Sequence, residues 1–194
     1  MMTKIKNTWV TTVLVGLFTL SLALTSHSSF ATTAKNFNDN GYRVDRYRAP
    51  SPDQLDGATT LSAEALVQLL AEQPSLLLLD VRPSEWRQGV FLKSKIKTLP
   101  GAVWLANVGH GELKPLWQSH LFEYITTQTE TKDTPLVVFC RADCWMSWNA
   151  AKRLVEAGYT QVYWFKNGID GWQDIGRPLV DATPIAPNAS PKND

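Results

Sequence analysis

From Thr59 onward, short apolar runs of strand length alternate with segments of helical period, the pattern of a mainly parallel sheet flanked by helices. Leu76–Leu79 runs straight into Asp80, and Pro135–Phe139 runs straight into Cys140. Both predict strands covered on two faces, since neither alternates and Pro74 and Pro83 bracket the first. Ala102–Leu105 and Gln161–Phe165 predict two further strands. Ser62 caps a helix carrying Leu66, Leu69 and Leu70 on one face. A helix over 115–127 sets Leu116, Leu121, Tyr124 and Ile125 near one stripe. Another, over 147–157, is stopped by Gly158, and residues 168–172 turn into a last short helix. Ser84–Gln88 reads as one helical turn, and Val90–Leu99, with Lys93, Lys95 and Lys97, as a solvated surface loop in preference to a partner-docking patch.

The two ends follow a different pattern. Lys4 and Lys6 precede a 16-residue apolar run, Trp9–Leu24, and small residues stand at Ser29 and Ala31. This is the layout of a secretory signal peptide over 1–31, and the run is short of the ~20 residues that span a bilayer. Residues 32–57 are polar, with alternation over Tyr42–Tyr47, and read as an N-terminal arm lying over the domain, with room for one edge strand. The domain itself is expected over 58–181. Residues 182–194, rich in Pro, Ala, Asn and Ser, read as a disordered tail.

Removing residues 1–31 from the 194 leaves 163, one ordinary domain. Taking Lys4 and Lys6 from the formal net charge of +1 leaves −1, which gives no reason to expect nucleic acid or an anionic membrane as partner. An exported chain would be periplasmic, with both of its cysteines in an oxidising compartment.

Those cysteines carry the candidate chemistry. Cys140 ends a buried strand, where open parallel sheets collect ligands and reactive groups, and the following loop feeds a helix. Backbone amides and the positive end of the helix dipole can converge there and lower the thiol pKa. Arg141, Ala142, Asp143, Trp145, Met146 and Ser147 form the candidate binding loop. Cys144 lies within bridging reach of Cys140, and a ring so small favours exchange. Asp80 and Arg82 read as a structural ion pair bracing the site. Trp145 and Trp148 fit either a pocket wall or the core. Zinc would need four ligands at recognisable spacing, and haem attachment a Cys-x-x-Cys-His run, so no metal or cofactor is expected.

The stretch from Leu77 to Trp172 resembles the rhodanese domain. The likeness rests on Asp80-Val81-Arg82-Pro83 with Trp86, Pro100-Gly101-Ala102, Val137-Val138-Phe139-Cys140-Arg141, Gly158-Tyr159 and Gly168-Ile169-Asp170-Gly171-Trp172. It implies a single domain with a central parallel sheet, and a catalytic cysteine that opens a cradle-shaped loop and carries a persulfide. More narrowly, Asp143–Arg153 with Pro100–Trp104 looks like the rhodanese-like family named for a Cys-x-x-Cys-Trp motif and associated with PQQ-dependent alcohol catabolism, although three residues separate the cysteines here. That resemblance implies a periplasmic accessory role, with a protein partner in the pathway and a small sulfur compound or thiol reductant as reactant.

Usual rhodanese loops place Gly and then Arg soon after the cysteine, where this chain has Asp143, Cys144 and Trp145. The added carboxylate would oppose an entering anion unless Arg141 compensates. Phosphatases of the same fold place an Arg where this chain has Met146, which argues against phosphate chemistry. Two functions follow: Cys140 as persulfide carrier with Cys144 resolving it, or a redox or binding module built on a Cys140–Cys144 disulfide without sulfur transfer.

Overall fold

The computed structural model describes residues 36–93 and 95–188. The expected signal peptide, 1–31, and the end of the expected tail, 189–194, lie outside the described residues. Among the described residues no helix is long and apolar enough to cross a membrane.

The central sheet is built from β1 (Thr59–Leu61), β2 (Leu77–Asp80), β6 (Val103–Trp104), β7 (Leu136–Phe139) and β8 (Val162–Phe165). Its order is β1-β8-β7-β2-β6 and every pairing is parallel. All four residues of the central strand β7 are buried, which is why its sequence is a run and not an alternation. Successive side chains still point to opposite faces. Leu136 and Val138 face a core shared with Leu121 and Ile125 of α2 (Pro115–Gln128) and Ala150, Ala151 and Leu154 of α3 (Trp145–Glu156). Val137 and Phe139 face a second core with Leu66 of α1 (Ala63–Glu72) and Ile169 and Trp172 of α4 (Gly168–Asp174). Ser62 caps α1 as expected, accepting the Ala65 amide at 3.2 Å. Gly158, at φ +85°, ends α3.

Four expectations need correction. Ser84–Gln88 is not a helical turn: β3 (Trp86–Arg87) forms a hairpin with β4 (Val90–Phe91), where Trp86 packs edge-on to Phe91 with centroids 4.6 Å apart. The lysine-bearing insertion is not merely a loop, because β5 (Ile96–Thr98) pairs antiparallel with β9 (Val180–Ala182). Residues 182–188 of the expected tail are placed on the domain: Pro184 bridges Trp104, and the Ile185 amide donates to the Trp104 carbonyl at 2.9 Å, closing the edge of the sheet at β6. Among the described residues the arm contributes no strand to the sheet, and it meets the cysteine loop, α3, Gly111 and Lys166 instead.

Candidate functional site

Cys140 follows the last residue of β7, at the carboxyl end of the strand in the middle of the sheet. Cys144 is the N-cap of α3, with extended backbone. Between them Asp143 adopts φ +50°, a left-handed conformation that Asp tolerates better than most side chains. This turn sets the two Cα atoms 6.2 Å apart, and the sulfurs are joined in a disulfide. Cys140 is therefore in its disulfide form, one of the two forms expected for it, with its Sγ bonded to that of Cys144. Cys140 is 1% and Cys144 3% exposed, yet both form the floor of a cleft of about 490 Å³.

The cleft is walled by Tyr47 and Arg48 of the arm, Arg82 and Pro83 after β2, Lys93 and Ile96 of the insertion, His110, Arg141 and Met146. No carboxylate is among these lining residues, whereas Arg48, Arg82, Lys93 and Arg141 are cations. The site is thus electropositive and partly desolvated, which strengthens attraction for an anion. Burial, with the neighbouring Arg153 and Lys114 charges, pushes the His110 imidazole below its ordinary range, so it is neutral near pH 7.

The loop is clamped from two sides. On one, the Cys140 carbonyl accepts the Ile169 amide at 3.2 Å, and the Ala142 amide donates to Asp170 Oδ2 at 2.8 Å. On the other, the arm runs antiparallel to it: the Trp145 amide donates to the Tyr47 carbonyl at 2.9 Å, and the Ala49 amide to the Asp143 carbonyl at 3.2 Å. Arg48 Nη1 reaches the Ala142 carbonyl at 2.8 Å. Two amides of the supposed cradle, those of Ala142 and Trp145, are therefore already spoken for by Asp170 and the arm.

Of the loop residues expected at the site, Arg141 and Met146 line the cleft beside the two cysteines. Ala142, Asp143, Trp145 and Ser147 do not, and each has a physical reason. Ala142 is held by Asp170, and Asp143 is exposed at the left-handed turn and is not among the residues lining the cleft. Trp145 is turned under the arm, edge-on to Phe37 at 5.2 Å and beneath the Arg43 guanidinium at 5.0 Å, with its indole N–H donating to Pro50 O at 3.2 Å. Ser147 is buried, donating to the Cys144 carbonyl at 3.1 Å and accepting the Trp164 indole N–H at 3.0 Å. Trp148 packs against Trp145 at 5.3 Å.

Asp80 and Arg82 form a buried pair at 2.5 Å; Thr98 Oγ1 donates to Asp80 at 2.7 Å, and Arg82 also donates to the Lys97 carbonyl at 2.6 Å. The carboxylate thus accepts from two partners, which stabilises it in place. The sequence reading missed Tyr47, Arg48, Lys93, Ile96 and His110. The one signal that pointed to the arm was its repeated Tyr-Arg pair, at 42–43 and 47–48. Among the described residues no group of three or more His, Cys, Asp or Glu side chains is placed to share a metal ion.

The fold and site together define a class of α/β protein: a parallel sheet whose central strand ends in a cysteine lining a cationic cleft. Residues 62–175 match the family model of the rhodanese-like domain, and the chain belongs to that family. A sulfurtransferase of Allochromatium vinosum is 30% identical over 121 residues, covering 62% of this chain and 92% of its own. Among solved structures, the polysulfide-sulfur transferase homodimer from Wolinella succinogenes superposes with a TM-score of 0.45 at 21% identity, covering 71% of this chain and 84% of its own. The thiosulfate sulfurtransferase from Pseudomonas aeruginosa gives 0.47 at 18% identity, with 69% of this chain covered and 22% of that one.

Proposed function

We propose that this chain is an exported, periplasmic sulfurtransferase-type protein whose Cys140 takes up sulfane sulfur and whose Cys144 discharges it, in an accessory role to PQQ-dependent alcohol catabolism. The observation that carries the reading is the Cys140–Cys144 disulfide on the floor of a cleft lined by cations. In the first step the Cys140 thiolate attacks the outer sulfur of thiosulfate; the S–S bond of the donor breaks, sulfite leaves, and Cys140 holds a persulfide. In the second the Cys144 thiolate attacks Cys140 Sγ, hydrosulfide leaves with the bonding pair, and the disulfide remains. An external thiol then reduces it, itself becoming a disulfide. Arg48 and Arg141 attract the anionic donor into the cleft, the work that loop Gly and Arg residues do in the ordinary pattern.

The sulfurtransferase from Allochromatium vinosum supports sulfur transfer as the class of reaction. Export rests on the basic and apolar leader with Ser29 and Ala31, and a disulfide is the cysteine form that suits an oxidising compartment. The PQQ association rests on the Asp143–Arg153 motif.

A second reading is favoured by one observation. The Ala142 and Trp145 amides that would cradle a persulfide are engaged, which suits a thiol–disulfide module with no sulfur transfer. Intact mass of the reduced protein after thiosulfate separates the two. The first reading expects one added sulfur atom on Cys144→Ser, and in the unaltered chain the disulfide with released sulfide. Reversible oxidation with no donor-dependent sulfur adduct on Cys144→Ser overturns it in favour of the second.

A further inference from the structure

The disulfide is buried at the bottom of its cleft, with Cys140 1% and Cys144 3% exposed, so a folded surface cannot press against the sulfurs; whatever opens the bridge has to enter. The wall by which it enters is unusual. Lys93 and Ile96 line the cleft, and the hairpin residues just before them carry the two most exposed large apolar side chains described, Val90 at 57% and Leu92 at 54%. Lys95 is exposed beside them. Two more exposed apolar residues, Val180 and Ile185, stand on β9 and the segment after it, and β9 is paired to the β5 strand that contributes Ile96. Glu85 and Asp181, acids on this flank, are engaged by Arg87 at 2.5 Å and Lys97 at 2.9 Å, so the charge it offers outward is the lysines'.

Exposed apolar groups rimmed by charge mark protein interaction sites. A free anionic thiol would use the cations alone and gain nothing from Val90 and Leu92. From this juxtaposition we infer that the hairpin and the lysine segment after it form the docking surface for a partner protein that presents an extended, acidic, dithiol-bearing segment to the cleft. The inference rests on the disulfide being a working redox couple, as the proposed function holds. Apolar residues of the partner sit on Val90 and Leu92, its acids face Lys93 and Lys95, and its chain enters over Ile96. One partner thiolate attacks the bridge and forms a mixed disulfide, releasing one protein cysteine as thiolate. The partner's second thiolate then attacks its own half of that mixed disulfide and expels the other cysteine. The protein ends with two thiols and the partner with one disulfide, so electrons balance.

The probe is a short synthetic peptide with two cysteines, a leucine and flanking aspartates, compared with the same peptide carrying lysines in place of the aspartates. Opening of the disulfide in the full chain is followed by alkylation and intact mass. The acidic peptide is expected to react about tenfold faster or more at low salt, with the advantage shrinking as ionic strength rises. Lys95→Glu is expected to abolish that advantage, and Val90→Ser with Leu92→Ser to slow the acidic peptide several-fold. All three substitutions should leave reduction by neutral dithiothreitol unchanged, which also reports correct folding. Equal rates for the two peptides, or an advantage untouched by these substitutions, overturns the docking surface. So does a free sulfonated thiol that matches the acidic peptide in rate and salt dependence. If dithiothreitol cannot open the bridge in the folded protein, the redox couple itself fails, a result distinct from loss of charge preference.

Discussion

Arg43 and Asn149 exchange two hydrogen bonds across 106 residues of chain: the Arg43 amide donates to Asn149 Oδ1 at 3.0 Å, and Asn149 Nδ2 donates to the Arg43 carbonyl at 2.8 Å. Asn149 Nδ2 also reaches the Gly109 carbonyl at 3.0 Å. One buried amide thereby ties the arm to α3 and to the segment leading to His110. Arg153, one turn further along α3, continues the tie by donating to the His110 carbonyl at 3.0 Å beneath the Tyr42 ring.

Asn149→Ala leaves the Arg43 amide and two carbonyls without this partner in a buried place. We expect a loss of about 3 kcal/mol from unsatisfied groups, read by urea unfolding, and faster proteolysis within residues 36–50. Unchanged protection of the arm would show that its other contacts suffice.

Gly168 is at φ +50°, and a Cβ there would collide with the Cys140 carbonyl. Gly168→Ala is expected to cost about 2 kcal/mol or more and to speed reduction of the disulfide by displacing the strand end that holds it. A melting curve and a dithiothreitol time course check both parts.

Asp80→Ala strands the buried Arg82 guanidinium. The expected cost is about 3–5 kcal/mol, whereas Asp80→Ala combined with Arg82→Met is expected to cost less than the single change. A double-mutant cycle by chemical denaturation gives the coupling.

Arg48→Gln removes a cleft cation whose guanidinium donates to the Ala142 carbonyl, and leaves the backbone pairing of the arm with the loop in place. On the sulfurtransferase reading, kcat/KM for thiosulfate should drop about tenfold, with unfolding free energy changed by less than about 1 kcal/mol. Steady-state thiocyanate formation with cyanide as acceptor measures the first quantity.

His120 is buried, and burial pushes its imidazole below the ordinary range despite a hydrogen bond to the Ile185 backbone and the nearby Glu123 charge. The unfolded chain therefore binds a proton at higher pH than the folded one. Its contribution to stability is complete above about pH 6.5 and is lost as pH falls through the lowered folded value. His110 acts in the same direction. Urea midpoints between pH 5 and pH 8 should fall on the acid side of about 6.5, and His120→Gln should flatten that slope.

The strands were legible wherever a short apolar run met proline punctuation, as at Leu77–Asp80 and Leu136–Phe139. Local signals also found α1, through the Ser62 cap, and the end of α3, through Gly158. The start of α3 was placed two residues late, since Trp145 and Met146 have no pattern of their own and are recruited by packing. The Trp86–Phe91 hairpin was missed because two-residue strands carry too few positions to show a period, and its ring contacts with Trp117 lie far along the chain. At the site, the two cysteines and the Asp80–Arg82 pair could be read from neighbours in sequence. Arg48, Lys93 and His110 could not, because they meet only when three separate segments converge on one cleft.

The bonds that secure the arm span great lengths of sequence: 94 residues from Arg48 to Ala142, 95 from Pro50 to Trp145, 106 from Arg43 to Asn149. Closing loops of that length is slow, whereas the two sulfurs are only four residues apart. As the chain matures, sulfur pairing therefore comes early and the covering segment settles late. On the proposed export, an oxidant would reach the thiols while they are still bare, and the arm would be the last segment to find its seat.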